Sequence, residues 1–174
     1  VYAGERDGSW NVYMAELGEG EEWFYAATDV SESEVVATDE EEYQPRFSPD
    51  GKEVAYLAER TVLKVKNLDS GSVRTVMPGR WNYSYADGDQ WFDWSPNGEW
   101  FAVTFLSRGR YYADAIGLVK SDGKSDPVDI TNSGYVSFSP RWAMDGGAVI
   151  FMPGATGRGG MLHLCAWCNR ARGQ

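Results

Sequence analysis

The sequence predicts an all-β chain built from repeated four-stranded antiparallel units. Three observations carry that prediction. A turn motif occurs three times at nearly constant spacing, each copy leads into a short apolar run, and no segment has a convincing 3.6-residue period. The 174 residues are 43% hydrophobic and include 8 Trp, 10 Tyr and 7 Phe, which is enough apolar surface to exclude a disordered chain.

The motif reads Pro45-Arg46-Phe47-Ser48-Pro49-Asp50-Gly51, then Phe92-Asp93-Trp94-Ser95-Pro96-Asn97-Gly98, then Pro140-Arg141-Trp142-Ala143-Met144-Asp145-Gly146. Its aromatic positions, Phe47, Trp94 and Trp142, lie 47 and 48 residues apart. The aromatic is expected to end one strand and pack inward. Pro presets φ for a tight turn, Asp or Asn tolerates the next position, and Gly supplies a positive φ. The apolar runs Val54–Leu57, Phe101–Phe105 and Ala148–Phe151 then return antiparallel, so each copy is a hairpin.

Further strands complete each unit. Leu63 and Val65 alternate with Lys64 and Lys66, as in a half-exposed strand, and after the turn Asp69-Ser70-Gly71 comes Val73–Met77. In the next copy Ala115–Val119, the turn Ser121-Asp122-Gly123 and Val128–Thr131 take the same places. Four strands in a unit of this length are the mark of a β-propeller blade. The opening residues fit the rest of an earlier blade, with strands at Val1–Ala3 and Trp10–Leu17 and an outer part drawn from Trp23–Thr28 and Val35–Ala37.

The chain therefore reads as a partial β-propeller of about three to four four-stranded antiparallel blades. The expected divisions are 1–43 for the remainder of a first blade with acidic loops, 44–90 for the second blade, 91–138 for the third and 139–160 for the start of a fourth. Residues 161–174 form an atypical tail, with both Cys, the sole His and no acidic residue, and are read as a reading-frame departure rather than native repeat. A chain starting and stopping mid-blade is expected to be a fragment of a larger polypeptide, prone to self-association through open blade edges.

Charge and composition exclude other classes. The net charge is −10, and it is local: residues 1–50 hold 14 acidic and two basic residues. Nucleic-acid binding needs a basic stripe, so it is not expected. No run of 18 apolar residues exists to form a membrane span, and two Cys cannot staple a miniprotein. No signal peptide is read in the chain, since Val1 leads directly into strand-like sequence.

The repeats resemble the WD40-like, TolB-type propeller repeat, best matched by Phe47-Ser48-Pro49-Asp50-Gly51-Lys52-Glu53-Val54-Ala55-Tyr56. That repeat is shared by TolB, tricorn-type peptidases and the propellers of prolyl-oligopeptidase-like enzymes. The longer stretch from Gln44 to about Gly154 resembles the N-terminal propeller of tricorn-like serine peptidases of the S41 family. It is carried by Thr61–Leu68, Asn82–Trp91 and Leu118–Gly123. The resemblance implies an exported or periplasmic parent that hydrolyses peptides, in which the propeller restricts or guides substrate and PDZ and peptidase domains follow downstream. It carries no catalytic residue over, because none of the family's nucleophile and base positions is matched here. The alternatives are a TolB-like protein–protein binding propeller with no attached enzyme, and a prolyl-oligopeptidase-like propeller.

The residues themselves supply no catalytic, cofactor or metal site. His163-x-Cys165-x-x-Cys168 lacks the second half of a zinc site and the βαβ setting of a redox pair. No G-x-S-x-G elbow accompanies the single His. Asp87-Gly88-Asp89 lacks the further ligands of a Ca²⁺ loop, and Gly154–Gly160 lacks the G-K-[ST] of a phosphate loop. Tyr83, Tyr85, Arg108, Arg110, Tyr111 and Tyr112 form a Tyr/Arg set on predicted loops and are the candidate contacts for a peptide or partner. Trp10, Trp94, Trp100 and Trp142 sit on strands or repeat positions, where core packing accounts for them better than sugar binding.

Overall fold

The computed structural model describes residues 1–81, 91–106, 115–131, 137–153 and, as strand backbone, 163–165. The described chain is all-β, with four antiparallel sheets in chain order and no α-helix. The first sheet holds β1 (Tyr2–Arg6), β2 (Ser9–Leu17) and β3 (Val30–Val36). The second holds β4 (Glu42–Phe47), β5 (Glu53–Ala58), β6 (Val62–Asn67) and β7 (Val73–Met77). The third holds β8 (Phe92–Trp94), β9 (Trp100–Phe105), β10 (Ala115–Lys120) and β11 (Val128–Asp129). The fourth holds β12 (Ser137–Trp142), β13 (Val149–Pro153) and β14 (His163–Cys165). Within every sheet the strands lie side by side in sequence order, the meander of a propeller blade.

The repeated turn has the chemistry its residues prescribe. Ser48 N–H donates to the Glu53 carbonyl at 2.8 Å and Gly51 N–H to the Ser48 carbonyl at 2.9 Å. The Ser48 hydroxyl donates to Asp50 Oδ1 at 2.6 Å and accepts from Glu53 N–H at 2.9 Å. Ser95 and Asn97 repeat the pattern, with 2.7 Å between the hydroxyl and Oδ1 and 2.9 Å from Trp100 N to the hydroxyl. Gly51, Gly98 and Gly146 have φ of 72°, 75° and 70°, a region that disfavours a Cβ. In the third copy Ala143 keeps the backbone bonds, but has no hydroxyl to add the others.

Sheets pack face to face through apolar layers. Ala55, Leu57, Leu63, Val65, Val76 and Met77 of the second sheet meet Phe92, Trp94, Phe101, Val103 and Phe105 of the third. Val12, Val35 and Val36 meet Val54, Tyr56 and Ala58 between the first and second sheets. Ala102, Ile116 and Leu118 meet Val149 and Phe151 between the third and fourth.

Two expectations need correction. Trp23–Thr28 forms turns rather than a strand, and β3 starts only at Val30. The bond from Gly18 N–H to the Asp29 carbonyl and those from Thr28 and Asp29 to Glu21 hold it as a closed loop off the sheet. Phe47 does not pack inward as Trp94 does: it is 40% exposed against 7%. Trp94 sits between two four-stranded sheets, with its ring 4.5 Å from that of Phe101. Phe47 ends β4 opposite the smaller Val54, on the side of the three-stranded first sheet.

Candidate functional site

The Tyr/Arg set read from the sequence (Tyr83, Tyr85, Arg108, Arg110, Tyr111, Tyr112) lies outside the described residues, as do Asp87–Asp89, Gly154–Gly160 and Cys168. His163 and Cys165 fall on β14, of which only the backbone is described. Among the described residues no group of three His, Cys, Asp or Glu could hold a metal ion. No described helix is long and apolar enough to cross a membrane.

The structure brings together a different set. β4, β8 and β12 are the first strands of their sheets, the position that lines a propeller's axis. The residue before the repeat aromatic is Arg46 on β4, Asp93 on β8 and Arg141 on β12. In β4 the register shifts by one residue between Tyr43 and Arg46, and in β12 between Phe138 and Arg141. Each shift holds a non-glycine residue at positive φ, Gln44 at 50° and Ser139 at 55°, followed by a proline. This is a β-bulge, and proline is tolerated there because a bulged edge strand need not donate from that nitrogen. Both arginines thus leave the strand directly after a bulge. β8 carries no such shift in its short ladder with β9.

The three charges are coupled. Burial pulls the Arg46 guanidinium below its ordinary value, Arg141 adds to that, and Asp93 opposes both. Asp93 is engaged elsewhere, since its Oδ2 accepts the Trp142 backbone N–H at 2.7 Å and ties β8 to β12. The Arg141 guanidinium lies 5.6 Å from the Trp91 ring centroid. Among the described residues no carboxylate forms an ion pair with Arg46. The position before the repeat aromatic therefore presents two cations and one anion, with the anion already accepting a backbone hydrogen bond. Such an arrangement holds an anionic or carbonyl-bearing ligand by charge and hydrogen bonding; it contains no nucleophile–base pair to cleave one. Sequence reasoning passed over these residues because they were absorbed into the turn motif. The signal was present, since one register position carries a charged residue in all three copies.

No protein-family model matches the chain. The chain is 34% identical over 107 residues to the tricorn protease homolog of Saccharolobus solfataricus, covering 62% of this chain and 9% of that protein. It is 31% identical over 107 residues to the putative tricorn-like protease C-terminal subunit of Sulfurisphaera tokodaii, covering 62% of this chain and 12% of that protein. The chain thus spans about a tenth of the length of the curated relatives it matches. Among solved structures, the putative TolB from Agrobacterium tumefaciens superposes with a TM-score of 0.64 at 20% identity, over 92% of this chain and 54% of that one. With four meandering sheets, the repeated Ser-Pro-Asp/Asn-Gly turn and these likenesses together, the chain is a partial β-propeller of TolB-like fold, similar across its repeat region to tricorn-like proteases.

Proposed function

We propose that the chain is the noncatalytic propeller of an exported tricorn-like serine peptidase of the S41 type, and that it restricts or guides the peptides reaching the catalytic domains. The observation that carries this reading is the match to two tricorn-like proteins across the repeat region. The inner-strand charges support it, because Arg46, which forms no ion pair among the described residues, suits the carbonyls and carboxylates of a passing peptide. Peptide substrate and downstream PDZ and peptidase domains of the same polypeptide are the partners this reading requires. Propellers host many activities, so the downstream sequence decides the reading. The experiment is to read the gene 3′ of the Gly160 codon and then assay peptide hydrolysis by the full polypeptide. A PDZ and S41 region, with hydrolysis by the full protein and none by residues 1–174, is the expected outcome. A gene that ends after a few more blades overturns it. That result favours the second reading, a TolB-like binding scaffold, for which the superposition on a TolB structure is the supporting observation.

A further inference from the structure

The β2–β3 connection, residues 18–29, is a closed loop that presents three aromatic side chains to solvent. Its ends meet where Gly18 N–H donates to the Asp29 carbonyl at 2.8 Å. Inside it, Glu21 Oε1 accepts from Thr28 N–H at 2.8 Å, the Thr28 hydroxyl at 2.9 Å and Asp29 N–H at 3.3 Å. Those bonds, the Thr28 backbone N–H foremost, hold the Glu21 carboxyl below its ordinary value. Ala26 N–H donates to the Trp23 carbonyl at 3.0 Å, closing the tip. A loop with touching ends and its own internal bonds is an Ω-loop, a form that frequently carries function.

The tip holds Trp23, Phe24 and Tyr25, which are 60%, 59% and 87% exposed. Trp23 and Tyr25 stack with centroids 6.2 Å apart, so they form one apolar knob. The knob plays no part in any of the three buried clusters. The same loop carries Glu19, Glu21, Glu22 and Asp29, and no Lys or Arg occurs in the sequence between Arg6 and Arg46.

We propose that this knob docks into an apolar pocket rimmed by Lys and Arg on another domain of the same polypeptide. The inference rests on the proposed function in one respect, that further domains follow. A convex aromatic tip calls for a concave site, and aromatic side chains dominate interface energetics. The acidic surround calls for a basic rim and opposes a second copy of the same loop. Three aromatic side chains bury about 500 Å² at most, below the roughly 800 Å² per partner of a stable free complex. Covalent attachment compensates, because a linked partner is present at an effective concentration of about millimolar.

The test places the photo-cross-linking residue p-benzoylphenylalanine at Tyr25 in the full-length polypeptide. The same residue at Met144, which is 97% exposed on the fourth sheet's turn, is the control. Both positions are exposed, so folding is not at stake. The expected result is an intramolecular cross-link from position 25 to a Lys/Arg-flanked site beyond residue 174. Its yield falls several-fold between 50 mM and 500 mM salt and in E19Q/E22Q. Cross-links confined to residues 1–174, cross-links to a second copy, or a yield no higher than the control overturn the docking. A gene with no further domain overturns it together with the proposed function, whereas a null cross-link in a multidomain polypeptide overturns the docking alone.

Discussion

Two of the sheet–sheet junctions of the described chain, the first–second and the second–third, are built from one repeat and filled differently. Between the second and third sheets the layer is aromatic: Phe92 meets Phe101 edge-on at 5.8 Å, and Trp94 covers Phe101. Between the first and second sheets valines take over, and the junction also contains the fully buried carboxyl of Glu42. Phe101 and Val54 hold the same register, opposite Trp94 and Phe47 respectively. A repeat therefore fixes the backbone and turn of each blade and leaves the contents of the junction free to vary. One junction is held by apolar burial, and the other accommodates a buried acid.

The largest expected effect tests that contrast directly. Phe101→Ala should destabilise the chain by about 3–5 kcal/mol, because a fully buried aromatic leaves a cavity between two sheets. Val54→Ala at the same register should cost about 2 kcal/mol, the removal of two buried methyl groups. Urea unfolding of the two variants measures the difference, and equal losses would erase the distinction between the junctions.

Glu42 gives the next effect. Its Oε1 accepts the Thr38 hydroxyl, while Oε2 is buried with no hydrogen-bond partner among the described residues. Burial pushes the carboxyl above its ordinary value; Glu40 adds to this, while the Thr38 hydrogen bond and Lys64 oppose it. Burial first, and then Glu42 and Glu40, push the nearby Tyr56 hydroxyl up to about 12. Since the folded value of Glu42 is the higher one, its contribution is fully present below the unfolded carboxyl value and is lost as pH rises through the folded value. Glu42→Gln should therefore melt higher relative to the parent at pH 8 than at pH 5, by a few degrees in the difference of differences. A difference that does not change with pH would show that Glu42 titrates as an ordinary surface acid.

Much of this fold was legible because its rule is local. Ser48-Pro49-Asp50-Gly51 and Ser95-Pro96-Asn97-Gly98 each specify a turn within six residues, and the alternation of Leu63 and Val65 with two lysines specifies a strand. The first sheet was harder to read, because Trp23-Phe24-Tyr25 has strand-like composition and only the hydrogen bonds from Thr28 and Asp29 to Glu21 fold it into a loop. The inner-strand charges were visible as letters. Their coupling was not, since Arg46, Asp93 and Arg141 are brought together by bulges and by the approach of β8 to β12, which no sequence window contains. The exposure of Phe47 was hidden for the same reason, because it depends on the neighbouring sheet.

The rim of the aromatic junction is polar. Arg74 on β7 pairs with both carboxylate oxygens of Glu53, and its Nε donates to the Ser121 carbonyl of the third sheet at 2.8 Å. Both partners of the ion pair are part-exposed, so solvent screens it. Arg74→Ala should cost about 1 kcal/mol, with part of the loss persisting in high salt because the Ser121 bond is to a neutral carbonyl. A loss abolished entirely by salt would assign the whole effect to the ion pair and remove this link between sheets.

The smallest effect concerns the turns, where the third copy of the motif differs by one hydroxyl. Ser95 Oγ binds Asn97 and the Trp100 N–H in a position that is nearly fully buried, so Ser95→Ala leaves a donor without its acceptor and should cost about 1 kcal/mol. Ala143→Ser is the reverse experiment. The backbone bonds from Ala143 N–H to the Ala148 carbonyl and from Gly146 N–H to the Ala143 carbonyl are already formed, and Asp145 Oδ1 already accepts Gly147 N–H at 2.9 Å. A serine at this position finds its acceptor and its donor prearranged, and it should stabilise the chain by about 0.5 kcal/mol, read as a small rise in the urea midpoint at unchanged slope. The Ser48 turn separates from both by its response to acid. Its Asp50 is held below the ordinary carboxyl value, first by the Ser48 hydroxyl and then by the Lys52 N–H, whereas Asn97 has no charge to lose. A depressed carboxyl contributes stability above its unfolded value and loses it as pH falls through the folded one. Ser48→Ala should thus be less destabilising at pH 2.5 than at pH 7, while Ser95→Ala stays constant, and identical acid responses would mean that the Asp and Asn copies of the turn are held by the backbone alone.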